Sequence, residues 1–347
     1  MRGIAALAVV MQHFSSTAQD LCATTIPSLV PHGYVAVDFF FVLSGYIMCY
    51  TYLSSFESQG WRAAYGPFLR KRAIRLLPLN AFVTLSLLVL GFMSVQLLGK
   101  NLFFGELRYP FDIVTNLLML QGLGIGHSMN GPSGTVGVEF VAYMAFPLLA
   151  ACAFARQRWA MALALAASLL ILTSLALPHP RLSLGAEDPV RDVLHCVSEF
   201  TLGMFSYRMA RSDWGTRWLA SDRTTTVVLA ICLGLALLRI DLLVALSFPF
   251  VVACIGLNSG RVLRALSAPL PYMLGTVSYS LYLIHNAFRP AAFELLKWLH
   301  PAPLSPVQAL TFALLGSLSV IPFAWLTYHY VEHPSRRLLL RRMAVAA

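Results

Sequence analysis

Residues 160–177 read AMALALAASLLILTSLAL, eighteen positions without one charged group. A run of that length is too long for a core strand, and as a helix it nearly crosses a hydrocarbon layer about 30 Å thick. Residues 242–257, LLVALSFPFVVACIGL, repeat the pattern with a single proline. Lipid offers no partner to backbone N–H and C=O groups, so a spanning segment must be a helix or a strand of a closed barrel. Barrel strands alternate apolar and polar residues, whereas these runs are continuous. The chain therefore reads as all-α, a polytopic helical bundle in a membrane. Its composition agrees, with 58% hydrophobic and 12% charged residues where soluble domains carry about 25% charged.

Ten spans are expected, near 2–22, 34–53, 79–98, 136–155, 160–177, 192–209, 224–238, 242–256, 273–289 and 308–330. The segment FDIVTNLLMLQGLGIG at 111–126 is short and carries Asn116 and Gln121, which marks it as one re-entrant or interfacial helix. With the N-terminus inside, 18 of the 25 Lys and Arg residues fall in inside segments. The positive-inside rule then puts both termini in the cytoplasm of a multi-pass protein. Orientation accounts for the net charge of +10, and nucleic acid is not expected as a partner. A cleaved leader is not expected either, because Gln12 and His13 interrupt the first apolar run. The turns PHPRLSLGAEDP and HPAPLSP read as Pro-rich caps between helices. The six cysteines show no CxxC pair and no metal-ligand spacing. They read as small buried residues, and no metal is expected.

Ionisable groups inside a bilayer are costly and mark pathways or sites. His13 lies eleven positions after Arg2, about 16 Å along a helix. Asp38, Glu139, the trio Asp192, His195 and Glu199, and His285 fall in the outer parts of four further spans. The trio shares one helical face through its i, i+3, i+7 spacing. Each residue alone also has a packing or capping explanation, and Asp38 sits where a helix N-terminus favours an anion. Their coincidence at one depth is what points to a site. On the inner side, Arg70, Lys71, Arg72 and Arg75 form a compact basic cluster. Guanidinium forks suit a polyphosphate, and the same cluster suits anionic lipid head groups.

The same residues carry a family resemblance. RGIAALAVVMQH, with its Arg–ten residues–His spacing, resembles the first span of the bacterial membrane acyltransferase family 3. GYVAVDFFFVLSGYIM is similar to that family's second span, and FLRKRAIRLLPL to its basic segment. GPSGTVGVEFVAYMAFPLL, SYSLYLIHNAF and YHYVEHPSRR resemble three further landmarks, in order, from residue 2 to about 337. The sequence departs from the pattern twice. Only Met1 precedes Arg2, where most members carry a short lead-in, and Gly134 stands where a Trp usually follows Pro–Ser.

The resemblance implies a single membrane acyltransferase domain over 1–337, with 338–347 as a basic cytoplasmic tail. It implies an O-acetyltransferase of the bacterial inner membrane that moves an acyl group, usually acetyl, from cytoplasmic acetyl-CoA or another acyl-CoA. The acceptor is a hydroxyl of an exopolysaccharide or lipid-linked glycan. Acyl transfer needs a base for the hydroxyl proton, donors for the oxyanion and exclusion of water. His13 is expected as base or acyl carrier, with Glu139 or Asp38 orienting its ring. Arg2, Arg70, Lys71, Arg72 and Arg75 are expected to hold the coenzyme-A side. Ser44, Tyr279, Ser280 and His285 are expected to line the substrate. The rival expectation is a proton-coupled secondary transporter of a glycan or small molecule. Such transporters often carry paired repeats and interrupted helices, and no repeat is visible here.

Overall fold

A computed structural model describes residues 1–22, 30–178, 181–184, 188–300 and 303–345. Parts of both Pro-rich turns, PHPRLSLGAEDP and HPAPLSP, lie outside the described residues. The described chain is helical: α1 (Arg2–Gln19), α2 (Ala36–Gln59), α3 (Trp61–Leu98), α4 (Phe111–Leu117), α5 (Gly131–Ala153), α6 (Arg158–Ala176), α7 (Pro189–Ala210), α8 (Asp213–Trp218), α9 (Asp222–Leu237), α10 (Asp241–Leu257), α11 (Arg261–Leu266), α12 (Pro269–Thr276), α13 (Ser278–Leu299), α14 (Pro306–Thr327) and α15 (His333–Val345). Each proposed span overlaps one of these helices. Five helical stretches are long and apolar enough to cross a membrane: His32–Gln59, Trp61–Leu98, Gly131–Ala153, Arg158–Ala176 and Pro306–Met343. Leu163, Leu170, Ile231, Leu315 and Phe323 stand exposed on helix surfaces. Apolar exposure on that scale suits lipid rather than water.

Two boundaries differ from the sequence reading, at the start of α3 and after α14. Helix α3 begins eighteen residues before the expected span, at Trp61, so the basic run lies well inside the helix. Pro67 and Pro78 each remove one backbone donor, and the helix continues past both. Segment 111–126 forms the seven-residue α4 and a short 3-10 turn at Leu120–Leu123, too little to cross. Its irregular backbone is satisfied by side chains. Asn116 Nδ2 donates to the carbonyls of Asp112 and His127 at 2.7 Å each, and its Oδ1 accepts from Met129 N at 2.9 Å. Finally, α14 runs through a single π turn, Tyr328–Glu332, into α15. The boundary expected after residue 337 therefore falls within a helix.

The chain packs as two compact units. The first comprises Val35–Arg70 and Val138–Met273, with Met1. Here α2 and α7 form the most intimate pair, and α10 packs on α7, α9 and α2. Glycines set the closeness of α2 and α7. A methyl group on Gly45 would meet the Phe200 carbonyl, and one on Gly203 would meet the Val42 carbonyl. Small residues at a crossing let two backbones approach, the device that holds helices together in lipid. An aromatic cluster of Phe56, Phe68, Tyr143, Phe146 and Phe200 fills the same unit, with ring centroids 5.2–6.5 Å apart. The second unit comprises Arg2–Tyr34, Lys71–Gly137 and Leu274–Ala347. There α1 lies against α13 and α14. All six cysteines are free thiols, and Cys49, Cys196 and Cys254 are buried.

Candidate functional site

In the second unit the first helix delivers His13 to α13. Its Nδ1 lies 2.6 Å from Nε2 of His285, and the rings stack with centroids 4.8 Å apart. His285 is fully buried. Its Nδ1 has no hydrogen-bond partner among the described residues, while the Leu281 and Tyr282 carbonyls of its own helix act on the ring. One turn further along α13, the Arg289 guanidinium lies close enough to act on both imidazoles. Arg289 Nε donates to Thr17 Oγ1 at 3.0 Å, and that hydroxyl donates to the His13 carbonyl at 3.0 Å. Nη1 donates to Asn286 Oδ1 at 3.0 Å. The arrangement is one imidazole pair with a cation tied beside it.

A second polar group of this unit gathers around Glu332. Ser280 Oγ donates to Glu332 Oε2 at 2.7 Å, and Arg75 Nη1 lies 3.5 Å from Oε1. The Arg75 guanidinium also lies over the Tyr279 ring, 5.9 Å from its centroid, and the Tyr279 hydroxyl donates to the Leu76 carbonyl at 2.8 Å. Arg336 sits near Arg75 and Arg72. Those two cations and the Glu332 carboxylate all act on it electrostatically. A crowd of guanidiniums of this kind favours an anion. Arg2, Arg70 and Lys71 are exposed, whereas Arg72 and Arg75 are half-buried.

The residues at and just before the start of α5 are pinned to α13. Asn130 Nδ2 donates to the Leu283 carbonyl at 3.1 Å, and the Thr135 and Tyr282 hydroxyls lie 2.5 Å apart.

In the first unit Glu139 accepts hydrogen bonds from the Ser44 hydroxyl and, at 2.5 Å, from Tyr143. Asp38 faces His195, with Oδ1 3.5 Å from Nε2, and Glu199 Oε1 lies 3.3 Å from the same nitrogen. The structure thus distributes the expected residues. The Nδ1 partner of His13 is an imidazole, where a carboxylate was expected. Glu139 and Asp38 each engage neighbours of their own unit. His285, Tyr279 and Ser280, expected as lining groups, are committed to partners. Arg289 and Glu332 were not singled out. Arg289 lies four residues after His285, one helical turn, and that spacing was the available signal.

A family model described as an acyltransferase domain, acyltransferase family 3, matches residues 1–329. The chain belongs to acyltransferase family 3. The match runs through both units and includes His13, the basic run of α3, Glu139 and His285. No curated protein and no solved structure matches the chain. Membership and the apolar helices together make this protein a membrane acyltransferase.

Proposed function

We propose that this acyltransferase is an O-acetyltransferase of the bacterial inner membrane with both termini cytoplasmic. It would take the acetyl group from acetyl-CoA and place it on a hydroxyl of a surface polysaccharide or a lipid-linked glycan. The observation that supports this most is the His13–His285 pair with Arg289 beside it. Because carbonyl oxygens only accept, an N–H is favoured on His285 Nδ1. His285 Nε2 then accepts, His13 Nδ1 donates to it, and His13 Nε2 carries the free lone pair. That lone pair takes the proton of the acceptor hydroxyl as its oxygen attacks the thioester carbonyl. Arg289 offers positive charge to the developing oxyanion. As the carbon–sulfur bond breaks, the imidazolium returns the proton to the departing thiolate. His285 is the positioning residue, since it fixes the tautomer of the base. Arg72, Arg75 and Arg336, with Lys71, supply the charges for the coenzyme-A phosphates.

The test compares glycan mass from cells carrying wild-type protein and His13→Ala at equal membrane levels. Wild-type adds increments of one acetyl group, and the variant loses about 10²- to 10⁴-fold of the activity, as for a removed general base. Unchanged acetylation in His13→Ala removes the mechanism. A mass increment of another size replaces the acetyl donor while keeping the acyl transfer.

A further inference from the structure

The first unit holds a cluster that the acyl-transfer reading does not use. Asp38, His195 and Glu199 are 1%, 1% and 0% exposed. One potential ligand atom from each lies within 4.8 Å of the others. Neither carboxylate oxygen of Glu199 has a hydrogen-bond partner, nor has Asp38 Oδ2. Asp192 and Asp241 act electrostatically on the cluster, as does the Arg191 cation. Bare carboxylates in a dry interior carry a heavy desolvation cost unless a cation or a proton neutralises them.

The distances are informative. His195 Nε2 lies 3.3 Å and 3.5 Å from the two carboxylates, beyond the roughly 2.7–2.9 Å of a charge-assisted hydrogen bond. For ligands about 2.0–2.1 Å from a tetrahedral zinc ion, adjacent ligand atoms stand about 3.3–3.4 Å apart. The two imidazole–carboxylate separations match the edge of such a coordination shell, and the two carboxylates stand within 4.8 Å of each other. Charge matches as well, because a divalent ion cancels two carboxylates while the imidazole stays neutral.

The geometry points to a buried divalent-metal site, suited to zinc, held by Asp38 of α2 with His195 and Glu199 of α7. The fourth tetrahedral position is left to water. The sequence hides it because its ligands come from two helices more than 150 residues apart. The ion would pin α2 to α7 beside the Gly45–Gly203 crossing.

The test uses the full chain in detergent, with any affinity tag removed, stripped by chelator and then loaded with zinc. Bound metal is counted by plasma mass spectrometry. About one zinc per chain is expected in wild type and in His13→Ala, with loss to background in Glu199→Gln and Asp38→Asn. Loading wild type with Co2+ is expected to give the intense visible bands of a tetrahedral ion, a readout that holds even if the variants misfold. No zinc in wild type overturns the proposal. So does zinc lost in His13→Ala but kept in Glu199→Gln, which would move the ion to the imidazole pair. An octahedral Co2+ spectrum overturns it too.

Discussion

Replacing Gly203 by Ala tests how the first unit is held together. The added methyl group meets the Val42 carbonyl, a backbone atom that no side-chain rotation can move. The helices must separate, and overpacking of this kind costs about 1–3 kcal/mol. Gly45→Ala makes the reciprocal collision with the Phe200 carbonyl and carries a similar cost. The two effects are predicted to be non-additive, because one outward shift of α2 from α7 relieves both. Gly234→Ala supplies the internal control. Nothing lies within 4 Å of its added carbon, and alanine improves helix propensity by about 0.8–1 kcal/mol. The assay is thermal unfolding of the three single variants and the Gly45–Gly203 double variant in one detergent. The expected order puts Gly234→Ala at or above wild type, each crossing variant below it, and the double variant short of the summed loss. Full stability in Gly203→Ala, or strict additivity, would refute the close-crossing argument.

Further outcomes follow from the polar groups. His285→Asn keeps an acceptor for His13 Nδ1–H, so it is expected to retain more acetylation than His285→Leu; equal activity of the two removes the tautomer argument. Arg75→Ala is expected to raise the KM for acyl-CoA about ten- to a hundredfold with little change in kcat, the scale of a hydrogen bond to a charged group; a kcat effect alone contradicts a binding role. Asp222 accepts from the backbone N–H groups of Arg261 and Val262 at 2.8 and 3.1 Å and from Asn258, and these bonds lower its pKa from the ordinary 3.8. The stabilisation is therefore complete above about pH 4 and is lost as the pH falls through the lowered folded value. Asp222→Asn is expected to lower the unfolding temperature at pH 7 and to flatten the acid limb, which thermal unfolding across pH 3–7 reads directly.

The architecture was legible because hydrocarbon permits few solutions. Ten apolar runs could be marked, and a helix overlaps each. The short segment at 111–126 was legible from Asn116 and Gln121, polar groups that a crossing helix would strand. The start of α3 was not: the apolar run marks the span only from residue 79, while the helix carries Arg70 to Arg75 well within it. Within the candidate site, the depth of His13 could be computed from its spacing to Arg2. Its pairing with His285, 272 positions away, could not, because helical periodicity gives a face but not the neighbour that covers it. The shared face of His195 and Glu199 was legible for the same reason that its partner Asp38 was not.

The π turn at Tyr328–Glu332 has a consequence for how the end of this chain tolerates change. Glu332 occupies its last position, and each residue of a helix advances the azimuth by about 100°. The π turn closes i→i+5 and so holds one residue more than an α turn; deleting that residue would let the helix run on as α with the arginines of α15 near their present azimuth, whereas inserting one more would turn them by about 100°. A single-residue insertion between 328 and 332 should therefore be tolerated worse than a single-residue deletion.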